Sequence, residues 1–149
     1  MVKQMTATTQ LNCFLCRKHA RLETQPPGGY IYSDAHWRVC HAPADKGPLG
    51  TLFIESQRHF LDFTEMTKEE AASYGTLLKR VIASIKQVTR AERVYSIVFL
   101  EGVPHFHNWL VPRRKGDKEK GISFLEKDIT CNEKNAAALA AKLHKKLSK

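Results

Sequence analysis

A single long amphipathic helix limits the folds open to this chain more than any other feature. Thr67-Lys68-Glu69-Glu70 forms a capping box, with Glu70 three residues after the capping threonine. Ala71, Tyr74, Leu77, Leu78, Val81, Ile82, Ile85 and Val88 then recur at helical spacing. The pattern predicts a helix of about six turns with one apolar stripe. That stripe needs an apolar surface to cover it, and the rest of the chain supplies strands. Tyr30 to Ser33, His36 to Cys40, Thr51 to Glu55, Arg93 to Leu100 and Phe106 to Val111 read as extended segments. Turn signals separate them at Pro26-Pro27-Gly28-Gly29, across the loop from Pro43 to Gly50, and at Glu101-Gly102-Val103-Pro104. A second helix is expected from Cys131 or Asn132 to Leu147, with Thr130 and Glu133 as a capping-box candidate. The order β-β-β-α-β-β-α predicts an α+β fold, a five-stranded, mostly antiparallel sheet with a long helix and a C-terminal helix packed on it.

At 149 residues the chain has the length of one domain, and a hydrophobic share of 42% excludes wholesale disorder. The longest apolar stretches, such as Tyr95 to Leu100, are far too short to span a bilayer, so no membrane partner is expected. Met1 to Asn12 is polar and lacks the apolar core of a secretion signal, which points to the cytoplasm. The 24 basic residues outnumber the 15 acidic ones for a net charge of +9. From Arg113 onward there are eleven basic and five acidic residues, so most of the surplus lies in the tail. Such a tail suits an anionic partner, from a nucleotide phosphate to a nucleic-acid backbone. For charge alone, a solvated surface is the plainer reading.

Four cysteines, Cys13, Cys16, Cys40 and Cys131, are too few and too unevenly spaced for a disulfide framework. The close pair Cys13/Cys16 reads first as a metal clip; a redox dithiol and plain buried thiols are the competing readings. Cys40 and Cys131 read as packing residues. The segment HFHNWLVPR, residues 105–113, is the richest in chemistry. On a strand, His105, His107 and Trp109 share one face, and Phe106, Asn108 and Leu110 the other. The two imidazoles then lie roughly 7 Å apart, close enough for separate tasks within one site.

HFHNWLVPR, the C-F-L-C at residues 13–16 and the upstream GTLFIESQRHFLDFTEMTKEEAASYG together resemble the histidine-triad proteins, a superfamily that includes galactose-1-phosphate uridylyltransferase. The resemblance runs from about Cys13 to Arg113. It divides the chain into a flexible arm at 1–12, a histidine-triad-like domain at 13–113 and a basic extension with a helix at 114–149. It implies a structural zinc ion held by Cys13, Cys16, His59 and His105, two thiolates and two imidazoles that complete a tetrahedral shell. It also implies that His107 is the nucleophile that forms a nucleotidyl-imidazole intermediate. Trp109 stands where the third histidine of the signature would contact phosphate, as glutamine does in the uridylyltransferase branch. Trp109 and Asn108 are the expected substrate-binding residues, with Arg113 or Arg114 as further candidates for gripping phosphate. The expected function is a nucleotide phosphohydrolase or nucleotidyltransferase acting on a phosphoanhydride, ester or phosphoramidate, in a homodimer. The alternatives are a catalytically weak nucleotide-binding protein and a nucleic-acid-associated protein using the basic C-terminal region. His41 is the one rival to His59 as a ligand; His19, His36 and His144 read as ordinary polar residues.

Overall fold

The computed structural model describes residues 10–149, so residues 1–9 of the expected arm lie outside the described residues. The elements are α1 (Phe14–His19), β1 (Tyr30–Ser33), β2 (Trp37–His41), β3 (Leu52–Ser56), α2 (Lys68–Thr89), β4 (Arg93–Ile97), β5 (His107–Arg113), α3 (Ile122–Leu125) and α4 (Glu133–Leu147). The strands form one sheet in the order β1-β2-β3-β5-β4, and every neighbouring pair is antiparallel. This is the expected α+β architecture. Among the described residues no helix is long and apolar enough to cross a membrane.

The α2 capping box is fully made: Glu70 N donates to Thr67 Oγ1 at 3.1 Å, and Thr67 N donates to Glu70 Oε2 at 2.9 Å. Leu77, Val81 and Ile85 are buried, and they pack on the sheet face formed by Val39, Leu52, Ile54, Phe106 and Leu110. Leu139, Ala140, Leu143 and Leu147 of α4 complete the same core, so the C-terminal helix shares the interior with the sheet and α2. The close seating of α4 explains the Pro-Pro-Gly-Gly turn. Gly28 has φ +73°, and a Cβ there would stand 2.8 Å from the Ala137 carbonyl oxygen.

Where the structure departs from the sequence reading, local hydrogen bonds account for it. The Asp34 carboxylate accepts the amides of His36 and Trp37, each at 2.8 Å, which holds His36 in a turn and starts β2 one residue later. β4 stops at Ile97, and by Leu100 the backbone has a positive φ of 63°. The cap of α4 is Asn132 rather than Thr130, its side chain accepting from Asn135 N at 3.1 Å. α1 and α3, six and four residues long, are too short to print a helical period on the sequence.

Candidate functional site

The candidate site lies on the sheet face opposite α2. Strand register sets Tyr30 beside Cys40, Cys40 beside Phe53, Phe53 beside Trp109, and Glu55 beside His107. Helix α1 covers one end of this face, and the Cys-x-x-Cys clip opens that helix. Cys13 is its N-cap, with Sγ accepting from Cys16 N at 3.5 Å.

Cys13, Cys16, His59 and His105 offer four ligand atoms that all lie within 4.8 Å of one another. His105 Nδ1 is 3.4 Å from Cys13 Sγ, 3.6 Å from Cys16 Sγ and 3.2 Å from His59 Nδ1, and Cys16 Sγ is 3.5 Å from His59 Nδ1. Ligand atoms at zinc bonding distances stand roughly 3.3–3.8 Å apart at the corners of a tetrahedron, so these edges fit a zinc ion. His105 Nε2 donates to the Ser56 carbonyl at 2.8 Å, which turns the lone pair of Nδ1 into the cluster. Burial pushes the His105 imidazole down to about 4, keeping it in the neutral form that a metal requires. His59 follows β3 on a short loop, and its neighbour Arg58 pins that loop to the start of α2 through Glu70 at 2.9 Å. His41 is elsewhere: it closes the loop after β2, with Nδ1 donating to the Ala42 carbonyl at 2.6 Å and Nε2 accepting from Gly50 N at 2.9 Å.

His107 opens β5 and donates from Nδ1 to the backbone carbonyl of His105 at 2.7 Å. A carbonyl only accepts, so Nδ1 carries a proton, and in the neutral imidazole Nε2 keeps a free lone pair. Two cavities, of about 480 and about 760 Å³, meet at His107 and Trp109, and Val103, Asp45 and Lys46 also line both. The Trp109 indole packs edge-on against Phe53 with ring centroids 4.6 Å apart. Asn108 lies on the other face and is 1% exposed. Its Nδ2 donates to the Tyr74 hydroxyl and to Ser96 Oγ, and its Oδ1 accepts from Ile97 N at 3.2 Å, so its amide ties α2 and β4 to β5. Arg113 is held by Glu92 at 2.8 Å and Tyr95 at 3.1 Å, and Arg114 by the Leu49 carbonyl at 3.2 Å. Neither arginine lines a cavity that contains His107.

The sequence reading missed a buried polar cluster beside this site. Glu55, fully buried, accepts from Lys18 Nζ at 2.5 Å, His19 Nε2 at 2.8 Å and the Tyr30 hydroxyl at 3.3 Å. Burial alone would raise the Glu55 carboxyl, but the hydrogen bond from His19 and the charge of Lys18 outweigh it and hold the group down at about 2. The available signal was a charge two residues after Phe53 in an otherwise apolar strand, on the face shared with Phe53.

No protein-family model and no curated protein matches the chain in sequence. Solved structures do match in shape. A zinc-bound histidine triad family protein from Mycobacterium smegmatis superposes with a TM-score of 0.72 at 19% identity, covering 93% of this chain and 96% of its own. The fold is the histidine-triad fold. A histidine triad nucleotide-binding protein from Sulfolobus tokodaii gives a TM-score of 0.70 at 16% identity over 91% of this chain and 92% of its own. A Hit-like protein involved in cell-cycle regulation from Bartonella henselae gives 0.71 at 12% identity over 93% and 98%. On this fold, the strand that carries His107 lies between β3 and β4, and His107 lines both cavities.

The Glu55 cluster has a measurable signature. Removing one partner of a buried ion pair strands the other charge, so Glu55→Gln should lose about 3–5 kcal/mol at neutral pH, whereas Lys18→Met/Glu55→Leu should recover much of that. Because the folded carboxyl titrates below its unfolded value, its contribution is complete above about pH 4.5 and is lost as pH falls toward 2. Urea unfolding of wild type and Glu55→Gln across this range should show the gap between them closing.

Proposed function

We propose that the protein is a nucleotide hydrolase or nucleotidyltransferase in which His107 is the nucleophile. The observation that carries this reading is the Nδ1 hydrogen bond from His107 to the His105 carbonyl, which fixes the tautomer of the neutral imidazole and aims its Nε2 lone pair where two cavities meet. Nε2 attacks the α-phosphorus of a bound nucleotide, and the bond to the leaving group breaks with its electron pair going to that group. The resulting nucleotidyl-imidazolium is stabilised through Nδ1–H by the same carbonyl. Water, or another acceptor, then attacks phosphorus, loses a proton and returns the electron pair to Nε2, restoring neutral His107. A strand backbone fixes the line of attack, so little is left to chance in the approach. Trp109 flanks the nucleophile with one N–H donor and no titratable proton, so it shapes the cavity while the leaving group takes its proton from solvent.

Four ligands, Cys13, Cys16, His59 and His105, would hold one zinc ion. A closed shell of two thiolates and two imidazoles supplies structure and no open coordination position. It lashes α1 to the loop after β3 and to the start of β5. In this reading the working unit is a two-fold homodimer.

Three outcomes test these roles. Elemental analysis of protein purified without chelator should find one zinc per chain, and Cys13→Ser should lose both the metal and several kcal/mol of stability; metal-free wild type with unchanged stability would contradict the ligand set. His107→Ala should keep its zinc and its melting temperature while turnover of nucleoside phosphoramidates and dinucleoside polyphosphates falls at least roughly a thousandfold. Tight nucleotide binding by wild type with no turnover of any member of that panel would instead make this a binding protein. Trp109→His should raise turnover of a simple adenosine phosphoramidate; a lower melting temperature with an unchanged substrate profile would mean that the indole only packs.

A further inference from the structure

The smaller of the two cavities is lined by a buried lysine that its apolar walls do not call for. Phe14, Pro26, Pro27 and Phe53 are among its walls, a lining suited to a flat ring. Lys18 reaches the same cavity from α1 at only 6% exposure. Its ammonium lies 5.5 Å from the Tyr30 ring centroid and 5.7 Å from that of Phe53. It donates to Glu55 Oε1 at 2.5 Å and to Cys40 Sγ at 3.3 Å. An ammonium has three N–H donors, so among the described residues one is left over.

The other members of the cluster offer nothing comparable. Glu55 is fully buried, and its two oxygens already accept from Lys18, Cys40, His19 and Tyr30. Lys18 therefore brings to this cavity a buried donor that the cluster's own acceptors leave unspent. A ring that enters and displaces water from the third N–H must bring an acceptor, or else leave a buried charged donor unsatisfied.

We infer that Lys18 reads the nucleobase, and that the cavity favours a base bearing a ring oxo group over one bearing an exocyclic amine at the same position. This inference rests on the nucleotide reading above and narrows its substrate class. An oxopurine presents O6 and N7 as two adjacent acceptors on one edge, the arrangement that a lysine reads well. Adenine replaces one of them with an amine donor that would face the ammonium. The same contrast separates the O4 of uracil from the amine of cytosine. Trp109 and His107 lie along the same cavity, so a base seated on Lys18 has its phosphate end directed toward the nucleophile.

Inosine and adenosine share the N7 edge and differ only at C6 and N1, O6 with N1–H against an amine with a bare N1, which makes them the probe. Phosphoramidates of inosine and adenosine 5′-monophosphate with one common leaving group should differ in kcat/KM, inosine being favoured by roughly fivefold to a hundredfold. Calorimetric binding of the two monophosphates should show the same order. In Lys18→Met/Glu55→Leu, which removes both buried charges together, the ratio should fall to about one while zinc content is retained. Wild type that handles both nucleosides equally, or prefers adenosine, overturns the role of Lys18 and leaves it as the counter-ion of Glu55. A folded double variant that keeps the inosine preference overturns it as well. The wild-type ratio needs no variant, so it decides the matter even where the double variant does not fold. Failure of wild type to bind or turn over either nucleotide overturns the nucleotide reading itself, an outcome distinct from equal turnover of both.

Discussion

The chemistry of this face hangs on the placement of one residue, His105, whose ring and backbone serve two different centres. Its Nδ1 points into the cluster with Cys13, Cys16 and His59, its Nε2 is anchored on the Ser56 carbonyl, and its own carbonyl accepts the Nδ1 proton of His107. The residue is fully buried just ahead of β5, so it has no freedom to satisfy one of these contacts at the expense of another. A shift of its backbone would loosen the four-residue cluster and release the tautomer of the neighbouring histidine together. The two histidines stand so close because a strand sends alternate side chains to one face while its carbonyls stay in reach of the next residue but one.

Beside this pivot lies a layer of polarity that a small domain rarely buries. Lys18, Glu55, His19, Tyr30 and Cys40 satisfy one another in the space between α1 and the sheet. A buried ion pair of this kind contributes little net stability compared with apolar residues of the same volume. What it supplies is definition: the Lys18, His19 and Tyr30 contacts to Glu55 are met together in one arrangement of α1 on the sheet, so the helix cannot slide along the face it covers.

Much of this could be read from the sequence because it is written in local periods. The α2 stripe with its capping box and the alternation along β5 are patterns within a few residues, and each leads directly to the observed element. Alternation even assigned Asn108 to the face away from His107, where its amide is consumed by Tyr74, Ser96 and Ile97. The histidines of the cluster were legible only through resemblance, since His59 and His105 are 46 residues apart and nothing local joins them. The Lys18–Glu55 pair spans 37 residues and carried no pattern at all, because a lone acid in a strand and a lysine in a short helix look like surface. The cap of α4 was misplaced by two residues because Thr130 and Asn132 are both good caps.

Helix α1 is six residues long, well below the length at which a helix holds itself together in water. Its position is borrowed: cysteines at its start are drawn to His59 and His105, and its last turn is held by Glu55. Yet this borrowed segment supplies Phe14, Leu15 and Lys18 to the smaller cavity, while the sheet supplies His107 and Trp109. Within α1 the residues that line the cavity and those that anchor the helix are different side chains. Phe14 and Leu15 can change which molecule fits while Cys13 and Cys16 keep the helix seated beside the strand that would act on it.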